Sequence, residues 1–366
     1  MIGRNKSKHK FIVVSMILGL TIIYNEYLVY EINSSTWNFK KCTECVRVLL
    51  VADPQILGEY NENYIGASFA IWDSDRYLAK TFARALKHSE PHVIIFLGDI
   101  MDEGHIATTQ QFVRYKNRFD NIFYTPDHIM KIYLPGDNDI GGEEDSVSSR
   151  IHDRFKFTYS QPDTIIHDNV IFFKVNRLIN YMPNAPKDAF LNDYAEQNVT
   201  NVVLSHVPLL FNPGYFVKNV IKELSPQIIF TAHEHKAMHL IIDTTIDQFG
   251  KSRIFKTHDN SIYQLRFDMG DIHEIQIPSC SYRMGSIDNM GYGLAYIDTR
   301  DKSVDFTILW LPSRFPKLKG YLWIIAIILF SFVAILVCNC FASSSSPSSL
   351  YNNNSNYMMY NHLMII

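Results

Sequence analysis

Cysteine is scarce in this chain of 366 residues: there are five, too few and too scattered for a disulfide scaffold. Cys42 and Cys45 stand together, Cys280 is alone, and Cys338 and Cys340 close an apolar run near the chain end. No second C-x-x-C accompanies the first, so that pair reads as a local disulfide or two plain thiols; a zinc half-site or a redox pair would need partners from elsewhere. An excess of positive charge is also missing. A formal net charge of −3 gives no electrostatic basis for nucleic-acid binding, and no nucleic-acid partner is expected. No internal repeat is visible. Global disorder is set aside too, because 47% of the residues are hydrophobic and 19% charged, which allows a sizeable core. The length suits one large domain, or a domain with appendages.

Two apolar runs frame the chain. Arg4, Lys6, Lys8 and Lys10 precede a run from Phe11 to Tyr24, the pattern of a signal peptide's basic and apolar regions. Asn25 and Glu26 follow, and Tyr27 to Tyr30 resumes the apolar character without a clean cleavage site. An uncleaved signal anchor over residues 11–30 is the expectation, with a cleaved peptide as the alternative. Tyr321 to Phe341 holds no charged residue and is long enough to cross a hydrocarbon core of about 30 Å at about 1.5 Å per residue. A second span over residues 320–341 follows. The basic N-terminus, residues 1–10, belongs in the cytosol by the positive-inside rule. That places a linker, residues 31–44, and a domain, residues 45–312, in the lumen of the secretory pathway, with residues 342–366 a disordered cytosolic tail. Sequons at Asn33 and Asn198 then become glycosylation candidates. The paired Cys338 and Cys340 at a membrane edge are palmitoylation candidates. The chain ends without a dilysine or KDEL-like signal.

Between the two runs, β-branched segments alternate with helix-period ones. Val46–Val51, Val93–Leu97, Ile132–Leu134, Val170–Val175, Val202–Leu204 and Ile228–Phe230 read as buried strands. Asp75–His88 and Thr108–Phe119 read as helices, and further strands are expected near Arg253, His273–Ile277, Leu294–Asp298 and Val304–Leu309. The class is α/β. Five of the strands run into polar turns: Asp53-Pro54-Gln55, Gly98-Asp99 with Asp102 and Glu103, Gly136-Asp137-Asn138-Asp139, Ser205-His206 and His233-Glu234-His235. In α/β folds, sites form beyond the carboxyl ends of strands. Any one of these turns alone is more often a cap or a satisfied histidine. Five in order predict one metal site built from hard and borderline ligands.

That ordered set resembles the calcineurin-like metallophosphoesterases, whose pattern is D-x-H, G-D-x-x-D, G-N-H-D/E, H and G-H-x-H. With the double-span topology, it resembles in particular the branch of lumenal enzymes that remove ethanolamine phosphate from the mannoses of GPI anchors, together with the fungal cell-division-control relative. The resemblance implies a four-layer α/β/β/α sandwich flanked by two transmembrane helices. It implies two divalent ions, the first held by Asp53, Gln55 and His235, the second by Asp137, His206 and His233, with Asp99 bridging. Asp99, Asn138 and His206 are the implied catalytic residues, and Asp102, Glu103 and Asp139 the implied supports around the ligands.

Three positions depart from the family pattern. Gln55 stands where histidine is usual, Asp137 where asparagine is usual, and Asn138 where a histidine assists the leaving group. A shifted register would make Asn138 the ligand instead. More carboxylate and less imidazole turn the expected metal toward manganese, with zinc or iron as alternatives. The implied activity is hydrolysis of a phosphodiester on a glycan or glycolipid of GPI-anchored proteins, in the endoplasmic reticulum or Golgi membrane. The competing readings are a weak or inactive metal-binding trafficking factor, and a lumenal phosphomonoesterase or protein phosphatase.

Overall fold

The computed structural model describes residues 2–143, 145–184, 199–211, 213–243, 248–267, 271–284 and 289–344. Two sheets form the centre. The first contains β1 (Val46–Val51), β2 (Val93–Phe96), β3 (Met130–Tyr133), β10 (Tyr263–Arg266), β12 (Gly291–Asp298) and β13 (Ser303–Trp310), in the order β10-β13-β12-β1-β2-β3. The second contains β4 (Thr164–His167), β5 (Val170–Lys174), β6 (Thr200–Leu204), β7 (Ile228–Thr231), β8 (Met238–Asp243), β9 (Gln248–Ile254) and β11 (Asp271–Gln276), in the order β4-β5-β6-β7-β11-β8-β9. Strands β1, β2 and β3 pair in parallel, as do β5, β6, β7 and β11. The remaining pairings are antiparallel.

The sheets face each other across one apolar core. Val48, Leu50 and Ile95 of the first meet Phe172, Val202 and Phe230 of the second. Their sequence neighbours point outward and are buried again. On the far side of the second sheet, Ile171, Val203 and Ile229 pack with Val217, Val220 and Leu224 of helix α7 (Tyr215–Leu224). On the far side of the first, Phe82 of α3 (Ala67–Ser89) and Phe119 of α4 (Thr109–Ile122) close on Phe123 and Phe96. Burial on both faces is why these strands read as unbroken apolar runs. The layers are α/β/β/α, as the resemblance implied. Thr108 caps α4 in a capping box with Gln111, worth about 1 kcal/mol.

Some elements were not anticipated. Strands β4 and β10 are four residues long and lie at sheet margins, β8 pairs between β11 and β9, and helices α6 (Ser149–Thr158) and α7 are only ten residues long. The N-terminal helix α1 (Ile2–Ile23) does not stop at Tyr30. It continues through a π-helical turn, Tyr24–Leu28, into α2 (Val29–Ser34), so the expected linker begins as helix. Asn33 is therefore helical, with Ser34 buried. Asn198 lies outside the described residues. Cys42 and Cys45 are disulfide-bonded.

The chain divides into two compact units, residues 1–315 and 316–366. The second consists, over its described residues, of most of helix α8 (Phe315–Ser344). Ile12–Ser34 and Phe315–Cys338 are long and apolar enough to cross a membrane.

Candidate metal centre

The parallel strands of the two sheets deliver their polar turns to one place. Asp53 follows β1, Asp99 follows β2, and Asp137 opens the short helix α5 (Asp137–Ile140) after β3. His206 follows β6, and His233 and His235 follow β7. Two clusters result: Asp53, Asp99 and His235, and Asp137, His206 and His233. Within each cluster one donor atom from every residue lies within 4.8 Å of the others.

The backbone is strained where these donors sit. Asp53, Gln55, Asp99, His233 and His235 have φ of 45°, 40°, 50°, 70° and 52°, left-handed values costing on the order of 1 kcal/mol or more each. They are five of the eleven described non-glycine residues with positive φ, so strain concentrates at the centre. Close approach of the turns depends on Gly136: a Cβ there would overlap both Oδ1 and the backbone nitrogen of Asp99.

Each histidine is oriented by its second nitrogen or its neighbours. His206 Nδ1 lies 2.9 Å from the Leu97 carbonyl, which fixes the proton there and leaves Nε2 toward Asp137 Oδ1 at 3.0 Å. His235 Nδ1 lies 3.1 Å from the Met284 carbonyl, leaving its Nε2 for the cluster. His233 Nδ1 lies 3.0 Å from Asp137 Oδ1. A carbonyl behind a ligating imidazole, as at His206 and His235, sets its tautomer and raises its basicity.

The electrostatics call for cations. Both oxygens of Asp53 are buried without a hydrogen-bond partner, and burial pushes its carboxyl up to about 6. Burial disfavours His206 as a cation, yet the carboxylates of Asp99, Asp137 and Asp53 push it up to about 10. Burial works against Asp137 ionising too, but its bonds to His206 and His233 hold it well below the usual carboxylate range. A buried carboxylate with no donor is costly, and a divalent ion held by these clusters would supply the missing partner. The donors are oxygen and imidazole nitrogen without thiolate, a set that fits manganese, zinc or iron.

The supports differ from one another. Asp139 accepts from the backbone N–H groups of Ile100, Met101 and Gly136 at 3.1, 3.0 and 2.9 Å, and so ties the Asp99 turn to the Asp137 turn. Burial and the Asp99 carboxylate push it up to about 7, against those donors. Asp102 lines an open cleft of about 400 Å³ with Asn61, His105, Asp137, Asn138 and Glu143. Glu103 points away from the ligands. It binds the backbone N–H groups of Tyr60 and Asn61 and the Tyr115 hydroxyl, so it holds the loop at the cleft rather than a ligand.

Asp137, not Asn138, is the residue gathered with His206 and His233. Asn138 instead donates to Asp99, through its backbone N–H and through its amide. Gln55 Nε2 lies 2.8 Å from Asp99 Oδ2 and 3.4 Å from His235 Nε2, within the first cluster.

The sequence reading missed two supports. Glu274, buried in β11, accepts from Leu209 N at 3.1 Å, from Leu210 N and from Thr231 Oγ1 at 2.9 Å. It thereby fixes the segments that carry His206 and His233. Its signal was an acid inside an apolar strand, His273-Glu274-Ile275. Ser279 Oγ donates to the Asp53 carbonyl at 2.8 Å, a contact with no signature in sequence.

The fold and the paired clusters define a metal-dependent phosphoesterase centre. The chain belongs to the calcineurin-like phosphoesterases, whose family profile matches residues 46–237. It is 25% identical over 346 residues to Cell division control protein 1 of Saccharomyces cerevisiae, covering 84% of this chain and 70% of the yeast protein. It is 29% identical over 168 residues to Metallophosphoesterase 1 of Xenopus laevis, covering 42% and 40% of the two chains. Against the Caenorhabditis elegans homolog of Metallophosphoesterase 1 the identity is 31% over 127 residues, 33% of each chain. The match thus spans less than half the length of these Metallophosphoesterase 1 relatives. A crystal structure of a metallophosphoesterase from Sphaerobacter thermophilus aligns with 74% of this chain and 90% of its own at 13% identity and a TM-score of 0.33.

Proposed function

We propose that the chain is a phosphodiesterase of the secretory-pathway lumen, acting on ethanolamine phosphate carried by the mannoses of GPI anchors and so supporting transport of GPI-anchored proteins. The phosphoric ester hydrolase class follows from the family; the substrate and the compartment are our reading. The observation that carries it is the charge of the centre. Asp137 adds a carboxylate where the family pattern has a neutral amide, and Asn138 holds no acidic proton to give. A centre with less positive charge favours a monoanionic diester over a dianionic monoester, since one charge pair at about 4 Å and effective dielectric near 20 is worth about 4 kcal/mol.

Divalent ions at such a centre supply Lewis acidity and a nucleophile derived from water. The chain's own groups do the rest. His206, with its Nδ1 proton fixed on the Leu97 carbonyl, presents Nε2 toward Asp137. Asn138 fixes both oxygens of Asp99. With no acid at position 138, the leaving group takes its proton from water or from the substrate, which favours leaving groups needing little assistance.

The orientation proposed places residues 1–10 and the tail in the cytosol and the catalytic domain in the lumen, in the endoplasmic reticulum or Golgi membrane. Manganese is the metal proposed, given the carboxylate-rich set. The test is hydrolysis of bis(p-nitrophenyl) phosphate and p-nitrophenyl phosphate by the full chain in detergent, metal-stripped and then supplied with Mn²⁺, Zn²⁺ or Fe²⁺. Metal-dependent turnover with the diester ahead is the expected result. A faster monoester would favour a phosphomonoesterase. No turnover with any metal would favour a trafficking factor that binds metal without catalysis, a reading that the Asn138–Asp99 contact also accommodates.

A further inference from the structure

Helix α3 carries an exposed apolar face that the domain core does not use. Tyr64 and Ile65 precede it, and Phe69 and Trp72 follow on its first turns, 58% and 53% exposed. The Phe69 and Trp72 rings lie 5.6 Å apart, and the Arg76 guanidinium lies 5.2 Å from the Trp72 ring. Aromatics beside a cation on one helix face are the composition of a membrane–water interface.

The same helix is clamped to the end of the N-terminal apolar helix. Glu26, buried in the π-helical turn, accepts from Arg76, from Lys80 at 3.3 Å and from Arg314 at 2.9 Å. Five residues on, Glu31 accepts from Arg84 at 2.6 Å, and Tyr30 meets Tyr77 with ring centroids 6.1 Å apart. Contacts advancing together from Glu26 to Glu31 and from Arg76 to Arg84 mean that the two helices run in the same direction. Followed back toward their N-termini, α1 enters its apolar stretch while α3 reaches Trp72 and then Phe69. At about 1.5 Å per residue these lie roughly 6 and 10 Å below Arg76. An interfacial helix face buries itself about 5–10 Å into the boundary between headgroups and acyl chains.

We infer that the face formed by Tyr64, Ile65, Phe69 and Trp72 is a membrane-docking surface that seats in the bilayer interface beside the helix Ile12–Ser34. The inference rests on the reading that this helix spans the bilayer. The occupant is lipid: the face lies on the helix that the Glu26 cluster clamps to the end of the N-terminal apolar helix, and that cluster fixes its level. The consequence reaches the metal centre. Helix α3 begins at the strand ends that carry the candidate ligands, and Asn61, in the cleft with Asp137 and Asn138, lies three residues before Tyr64. The cleft therefore opens near the lipid surface, where a phosphoester close to a lipid anchor can reach it and a remote one cannot.

Site-directed spin labelling of the full chain in phosphatidylcholine proteoliposomes tests this, with Cys338→Ser and Cys340→Ser removing the thiols of the second apolar run. Labels at Ile65→Cys and Phe69→Cys are compared with Tyr124→Cys, exposed after α4 near the opposite ends of the same strands, and with Ile17→Cys in the apolar helix. The expected ratio of oxygen to nickel-chelate accessibility at 65 and 69 is at least fivefold that at 124, approaching the ratio at 17. Ratios at 65 and 69 equal to that at 124, with 17 reading lipid, overturn the docking surface and leave the span intact. If 17 also reads water, the span fails and the inference with it. Low accessibility to both reagents with dipolar broadening between labels would assign the face to a second copy of the chain, which also overturns it.

Discussion

Asn138 grips Asp99 twice: its backbone N–H lies 2.9 Å from Oδ1 and its Nδ2 lies 3.0 Å from Oδ2. At the position where the family pattern carries a histidine, this chain has a group that orients the proposed bridging carboxylate. Asn138→Ala removes the side-chain bond and keeps the backbone one. Loss of such an outer contact typically costs about 10–100-fold in metal affinity or activity, and that loss is expected in metal titrations of the variant followed by diesterase rate.

Restoring the family's residues tests the charge argument. Asp137→Asn with Asn138→His removes one negative charge and adds a proton donor. Monoester hydrolysis should rise more than diester hydrolysis, by at least tenfold in the ratio of kcat/KM values. A double variant that keeps its metals and gains on neither substrate would separate these positions from the chemistry.

Glu274 contacts no candidate ligand directly, yet it holds the segments after β6 and β7. Glu274→Gln leaves one of its donors facing an amide N–H inside the core. A hydrogen bond to a charged group is worth about 1.5–3 kcal/mol, so the melting temperature should fall by several degrees, together with turnover. An unchanged melt would place the segments under other control.

Acidification should loosen the second sheet. His239 Nε2 lies 3.1 Å from His273 Nδ1, and burial, then His273 and Arg253, push His239 down to about 4. Its folded value is below its unfolded value of about 6.5, so the neutral pair's contribution is present above 6.5 and lost as pH falls through 4. Thermal melts between pH 7.5 and 4 should show a steeper decline for the native chain than for His239→Phe, which keeps a ring against Phe255.

Much of this architecture is legible in sequence because buried parallel strands write themselves as apolar runs and their carboxyl ends carry the polar turns. The segments Val46–Val51 and Ile228–Phe230 with their Asp53 and His233 turns illustrate this. Residues that act through the backbone were harder to read. Glu103 looked like a support for the ligands and proved to hold the Tyr60–Asn61 loop; Ser279 acts on a carbonyl 226 residues away. Glu26 looked like a mere interruption of an apolar run. It is the buried partner of Arg76 and Arg314, a pairing visible only once the helix has turned and α3 lies beside it.

The most direct test of the two-metal centre is metal content together with turnover in the native chain and in Asp99→Asn. The full chain, purified without chelator and dialysed against Mn²⁺, should hold two equivalents of metal and hydrolyse the aryl diester. Asp99→Asn, folded by its circular dichroism, should hold at most one equivalent and lose at least a thousandfold in turnover, because a neutral amide cannot share two oxygens between two cations. Two equivalents and near-native turnover in Asp99→Asn would contradict the bridging role and the dinuclear centre built on it.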